Sequence, residues 1–290
     1  MIEYVAADAH RLSARVLRAD SPEAPIFLCL PAIGVASSYY SGFCDVLRDS
    51  GLHVAASDLR GLGSSSLRAS RACDFGYHEI LSQDLHAFVA MVEEQFPGSP
   101  RYLFGHSLGG QLWSLYLSAN PQAAAGLVTM ASCSVHYVGW EAPARYRVLA
   151  TALLLRAIGV VLGYVPAGRL GFAGNEARTL IIDWFNNCVT GNYEVANDPF
   201  DYESALRVIR MPVLALSLEG DGLAPRRSVD NLFLKMQAAR VSRRHLSLSE
   251  LGLARASHFS WSKRRAPVVD LILEWVRQVA EAEHRDGKPA

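Results

Sequence analysis

The chain has 290 residues, half of them hydrophobic, enough for one large α/β domain or two small ones with a substantial core. Lys plus Arg and Asp plus Glu balance at 28 each, so no bulk field draws the protein toward nucleic acid or an anionic membrane. A small or neutral molecule is the expected partner. The N-terminus, MIEYVAADAHRLSARV, lacks a basic segment followed by an apolar one, which reads as cytoplasmic. Five scattered cysteines form no C-x-x-C pair and the histidines show no H-E-x-x-H spacing, so neither a disulfide framework nor a metal is expected.

In chain order, residues 2–7 and 11–17 alternate loosely around a turn and predict an opening β-hairpin. APIFLCL at 24–30 is a continuous apolar run, the pattern of a strand buried on both faces of a parallel sheet. HVAASD at 53–58, RYLFG at 101–105, GLVTMA at 126–131, PVLALSL at 212–218 and HLSLSEL at 245–251 repeat it. Helical patterns lie between them at 38–50, 77–96, 108–119, 228–239 and 266–282. Strands alternating with helices predict a mostly parallel central sheet with helices on both faces.

One interval breaks the alternation. From Ser132 to Arg207 no run reads as a core strand, and the segment is helical and aromatic. It predicts an inserted helical cap at 132–207, set in a core formed by 1–131 and 208–290. The apolar stretch at 148–165 approaches the length of a membrane span but carries Arg156 and two glycines, so a buried or surface-lying helix is expected and no span. The end, HRDGKPA, reads as frayed.

LFGHSLGG at 103–110 carries the chemistry. A G-x-S-x-G alone is a weak signal, but here it follows a predicted strand and opens a predicted helix, the setting of a nucleophile elbow. Gly105 and Gly109 leave room for a tight turn that presents the Ser107 hydroxyl. A serine hydroxyl is a poor nucleophile unless a base accepts its proton, so a downstream acid and then a His are required, on loops after later strands. Asp221 in EGDGLAP and His258 in RASHFSW meet that order. Glu219 shares the loop of Asp221, and Asp198 and Asp201 are further candidates for the acid. Oxyanion donors are expected at the Leu108 amide, beside the nucleophile, and at Ile33 in the loop LPAIG. His106, beside Ser107, is assigned a role in packing or in supporting the site residues from behind and not the role of the base. DLRGLGSSS at 58–66 lacks a phosphate-loop ending and reads as a turn shaping the pocket floor.

PAIG at 31–34, SDLRGLGSSS at 57–66, GHSLGG at 105–110, EGDGLAP at 219–225 and SHF at 257–259 together resemble a serine hydrolase of the α/β-hydrolase fold. The chain is similar in particular to bacterial predicted hydrolases of unassigned substrate. GYVP at 163–166 and DWFNNCVTGNY at 183–193 look like parts of their cap. Where many such hydrolases have H-G in the oxyanion loop, this chain has Pro31 and Ala32.

The combined reading is a carboxylic ester or thioester hydrolase for a small-to-medium hydrophobic substrate. Its catalytic residues are Ser107, Asp221 and His258, it needs no cofactor, and it is a monomer or homodimer. Tyr39, Tyr40, Trp140 and Trp184 are expected to line the pocket. Two alternatives stay open: an acyltransferase using the same residues with an acceptor other than water, and a ligand-binding protein without catalysis.

Overall fold

The computed structural model of the chain describes residues 1–255 and 257–285, so most of the C-terminal stretch expected to fray lies outside the described residues. The apolar runs become the centre of one sheet: β3 (Ile26–Leu30), β4 (His53–Ser57), β5 (Arg101–His106), β6 (Gly126–Met130) and β9 (Pro212–Leu218). Nearly every residue in them is buried, as strands covered on both faces must be. The predicted hairpin forms β1 (Ile2–Val5) and β2 (Arg11–Leu17), which join antiparallel to the edge at β4. With β10 (Arg240–Leu246) the order is β1-β2-β4-β3-β5-β6-β9-β10, parallel from β4 onward.

The last strand differs from the expectation at 245–251. It occupies 240–246, and 247–251 is a turn in which the Ser247 amide and hydroxyl donate to Glu250. β10 pairs with β9 on one side alone, and its exposed Ser242, Arg243 and Arg244 leave no apolar run to read. Charged side chains on such an edge discourage pairing with another chain.

Helices cover the sheet in two groups. α1 (Ser41–Asp49) packs with the C-terminal α9 (Arg265–Arg285). On the other side, the short α2 (Tyr77–Glu79) continues through a π-helical turn into α3 (Leu85–Gln95), and α4 (Leu108–Ala119) lies beside that turn.

Between β6 and β9 the chain leaves the sheet. The excursion contains α5 (Ala144–Leu162), a two-stranded ribbon of β7 (Tyr164–Val165) and β8 (Glu176–Ala177), α6 (Arg178–Thr190) and α7 (Tyr202–Val208). α5 packs along α6, while α7 returns to α4. α5 lies at the surface, with Leu153, Leu154, Val160 and Val161 exposed. Among the described residues no helix is long and apolar enough to cross a membrane. The excursion adds no strand to the main sheet, so it leaves the C-terminal ends of β3, β5, β9 and β10 facing one space.

Candidate active site

The elbow is built where β5 meets α4. Ser107 has φ 53° and ψ −117°, a conformation that costs a non-glycine residue about 1–3 kcal/mol. Its backbone is over-determined: the amide donates to Met130 O at 2.9 Å, and its carbonyl accepts from Gly110 and Gln111. The flanking glycines answer to close approach. A Cβ on Gly105 would fall on the Gly110 amide, and one on Gly109 would sit 2.6 Å from the carbonyl oxygens of Leu30 and Pro31. Helix α4 therefore crosses directly over the end of β3, which brings Leu108 beside the loop that carries Ile33.

His258 and Asp221 meet across the loops after β10 and β9. His258 Nδ1 donates to Asp221 Oδ2 at 2.7 Å, and both side chains are almost fully buried. Asp221 Oδ1 accepts from the Leu223 and Ala224 amides at 2.9 and 3.1 Å. The carboxylate is thus held by three donors, and the proton on Nδ1 leaves Nε2 as the accepting nitrogen of the neutral ring. The other acids are occupied elsewhere. Glu219 accepts from Leu248 N–H, Asp198 from Tyr202 and the Phe200 amide beside His78, and Asp201 caps α7.

Ser107, His258, Asp221, Leu108 and Ile33 all line one cavity of about 740 Å³. That is the size of a small-molecule site. As the first residue of α4, Leu108 has an amide with no acceptor in its own helix, and among the described residues the Ile33 amide has no backbone acceptor. Apolar walls come from the excursion, among them Val135, Trp140, Val148, Leu155, Phe172 and Trp184. Of the aromatic residues expected in the lining, Trp140 and Trp184 are there, and Tyr39 and Tyr40 are not. Tyr39 is exposed, edge-on to Phe259, and accepts from the Ser262 hydroxyl.

Tyr40 is buried beneath the site instead. Its hydroxyl accepts from the Ala32 amide at 3.2 Å and faces His106 Nδ1 at 2.7 Å. His106 Nε2 donates to the carbonyl oxygen of His258 at 3.1 Å. A carbonyl can only accept, so Nε2 carries the proton and Nδ1 takes the one from Tyr40. Burial, and secondarily the nearby His258, hold His106 well below the ordinary histidine pKa. Its ring also packs against that of His258, with centres 4.7 Å apart and planes tilted by 32°.

The segment 58–66 does not reach the cavity. Its bonds tie it to neighbouring segments: Asp58 accepts from the Ser37 and Ser64 amides, and Arg60 pairs with Asp84 at 2.6 Å and with Asp8 at 2.6 Å. His10 completes this buried cluster between Asp84 and Ser65. The turn is structural, and, contrary to the expectation, it does not shape the pocket floor. Among the described residues no group of three His, Cys, Asp or Glu side chains is placed to hold a metal ion.

The sheet order and the strand, serine and helix junction define the architecture, and the chain has the α/β-hydrolase fold. Within it, the family described as serine aminopeptidase, S33, matches residues 20–160. Human monoglyceride lipase is 25% identical over 267 residues, covering 89% of this chain and 84% of that protein. Among solved structures, the monoacylglycerol lipase of Paleococcus ferrophilus superposes with a TM-score of 0.63 at 17% identity, covering 91% of this chain and 99% of that one. A thioesterase domain from the curacin biosynthetic pathway superposes at 0.60 with 20% identity, covering 94% of this chain and 99% of that one.

Several lining residues escaped the sequence reading, Glu176 among them. Glu176 is 4% exposed, lies in the ribbon strand β8, and borders the cavity. No motif marks it, and its only sequence signal is a lone acid between apolar segments.

Proposed function

We propose that the protein is an ester hydrolase that cleaves a carboxylic ester or thioester of a small-to-medium hydrophobic substrate through an acyl-enzyme on Ser107. The observation that carries the reading is the 2.7 Å contact of His258 with Asp221, in the same cavity as a serine held at φ 53°. The lipase and thioesterase likenesses support the reaction class.

Ser107 Oγ attacks the acyl carbon as His258 Nε2 takes its proton, and Asp221 holds the ring and stabilises the imidazolium. Negative charge on the carbonyl oxygen is met by the Leu108 and Ile33 amides. His258 then returns its proton to the leaving alcohol or thiol. Water, deprotonated by the same nitrogen, attacks the acyl-enzyme and releases the acid. Residues 132–207 serve as a cap over a core of 1–131 and 208–290, supplying the apolar walls that exclude bulk water.

A fluorophosphonate tests the mechanism directly. The expected result is one adduct on Ser107, located by peptide mass, which Ser107→Ala and His258→Ala lose while remaining folded. A folded wild-type protein that takes no adduct and hydrolyses no acyl ester or thioester overturns the reading.

A further inference from the structure

The cavity wall is largely apolar; Arg147, Thr151 and Ser257 also line it, and several of its other polar side chains are engaged. Asp221 is tied to His258, the Trp140 indole N–H donates to Gly222 O at 2.9 Å, and Gln111 Oε1 accepts from Tyr193 at 3.3 Å. Glu176 differs. Its Oε1 is buried and, among the described residues, has no hydrogen-bond partner. Leaving such an atom unpaired is costly, so a buried acid in this position calls for a reason.

Its setting holds it in place. Glu176 pairs with Val165 across the ribbon, and the Gly34 amide, next to Ile33, faces the carboxyl group. The Ala173 amide donates to Gly34 O at 2.7 Å, so the ribbon connection and the oxyanion loop grip each other from both sides. Glu176 thus borders the cavity beside the oxyanion loop with one carboxyl oxygen buried and, among the described residues, unpartnered.

We propose that Glu176 is a specificity-determining residue, whose free carboxyl oxygen hydrogen-bonds a neutral hydroxyl group carried on the substrate. Desolvation raises the carboxyl to about 8, so at neutral pH it is the protonated acid. That form both donates and accepts, as a hydroxyl does, and no cation is paired with it among the described residues. An apolar substrate leaves Oε1 unpaired, whereas a hydroxylated one satisfies it, which is how a pocket discriminates between close analogues.

This inference rests on the ester hydrolase reading, and its test keeps the two apart. Kinetics are measured on methyl decanoate, on methyl decanoates with one hydroxyl at successive chain positions, and on decanoates of hydroxyalkyl alcohols. The two hydroxylated sets distinguish acyl from alcohol placement. Wild type is expected to favour one hydroxylated ester over its plain parent by about tenfold in kcat/KM, mainly through KM. Glu176→Leu brings the ratio to about one, while Glu176→Gln, which still donates and accepts, keeps most of it. Equal ratios in all three proteins, or no preference in wild type, overturn the proposal, as they would if Oε1 served only water. Calorimetry of the same esters on Ser107→Ala reads the preference without turnover, so a protein that hydrolyses none of them still decides the role of Glu176.

Discussion

Tyr40 and His106 share a 2.7 Å hydrogen bond that links the loop carrying Ile33 to the backbone of His258. The Ala32 amide leads into the Tyr40 hydroxyl, and His106 leads out to the His258 carbonyl. Two loops more than two hundred residues apart in sequence are therefore set relative to each other by one buried polar path.

Tyr40→Phe leaves the Ala32 amide and His106 Nδ1 without partners in a buried setting. The expected loss of stability is about 2 kcal/mol, read from urea unfolding. Turnover should fall through kcat with KM little changed, because under the proposed mechanism the path positions groups that act on the transition state. Unchanged stability together with unchanged kcat would show that the path carries no strain from either loop.

Ser107 is strained for presentation, so chemistry and stability should part company there. Ser107→Ala removes the proposed nucleophile while keeping a Cβ in the same backbone conformation, and turnover is expected to drop by about 10⁴-fold or more with unfolding unaltered. Ser107→Gly is equally inactive but relieves the strain, and should be more stable by about 1 kcal/mol. A glycine variant no more stable than the alanine one would mean that the φ of 53° costs nothing here.

Glu176 also governs pH dependence. Its carboxyl stands at about 8 in the folded chain against an ordinary 4.5, so between those values the folded state holds a proton that the unfolded state has lost. Stability therefore falls as pH rises through that window. Asp183, raised by burial to about 6, adds to the same decline at its acid end. Asp8, Asp74 and Asp198, which hydrogen bonds hold low against the opposing effect of burial, act in the other direction and lose their contribution only in stronger acid. Glu176→Gln cannot ionise, so it should gain on the order of a few kcal/mol over wild type at about pH 9 and little at about pH 5. Urea midpoints at the two pH values check this. Parallel curves for the two proteins would contradict the assignment.

The sequence alone determined the sheet and the catalytic candidates, because both are local patterns. A strand buried on two faces must be an apolar run, which is why β3, β4, β5, β6 and β9 could be read directly. Ser107 announced itself through glycines that the close approach of α4 to β3 requires. Asp221 and His258 followed from their order after strands, although nothing local separated Asp221 from Glu219.

Tertiary structure decided what depends on neighbours distant in sequence. β10 was displaced because an edge strand needs no apolar run, and its polar residues look like a loop. Tyr40 and Trp140 have similar apolar bulk, yet one lies under the site and the other on its wall. Asp221 rather than Glu219 reaches His258 because the loops after β9 and β10 bring that one carboxylate within 2.7 Å. Glu176 becomes a feature of the pocket only when the ribbon folds back over Gly34, since burial, which makes an ordinary acid unusual, belongs to the whole fold and not to any segment of the chain.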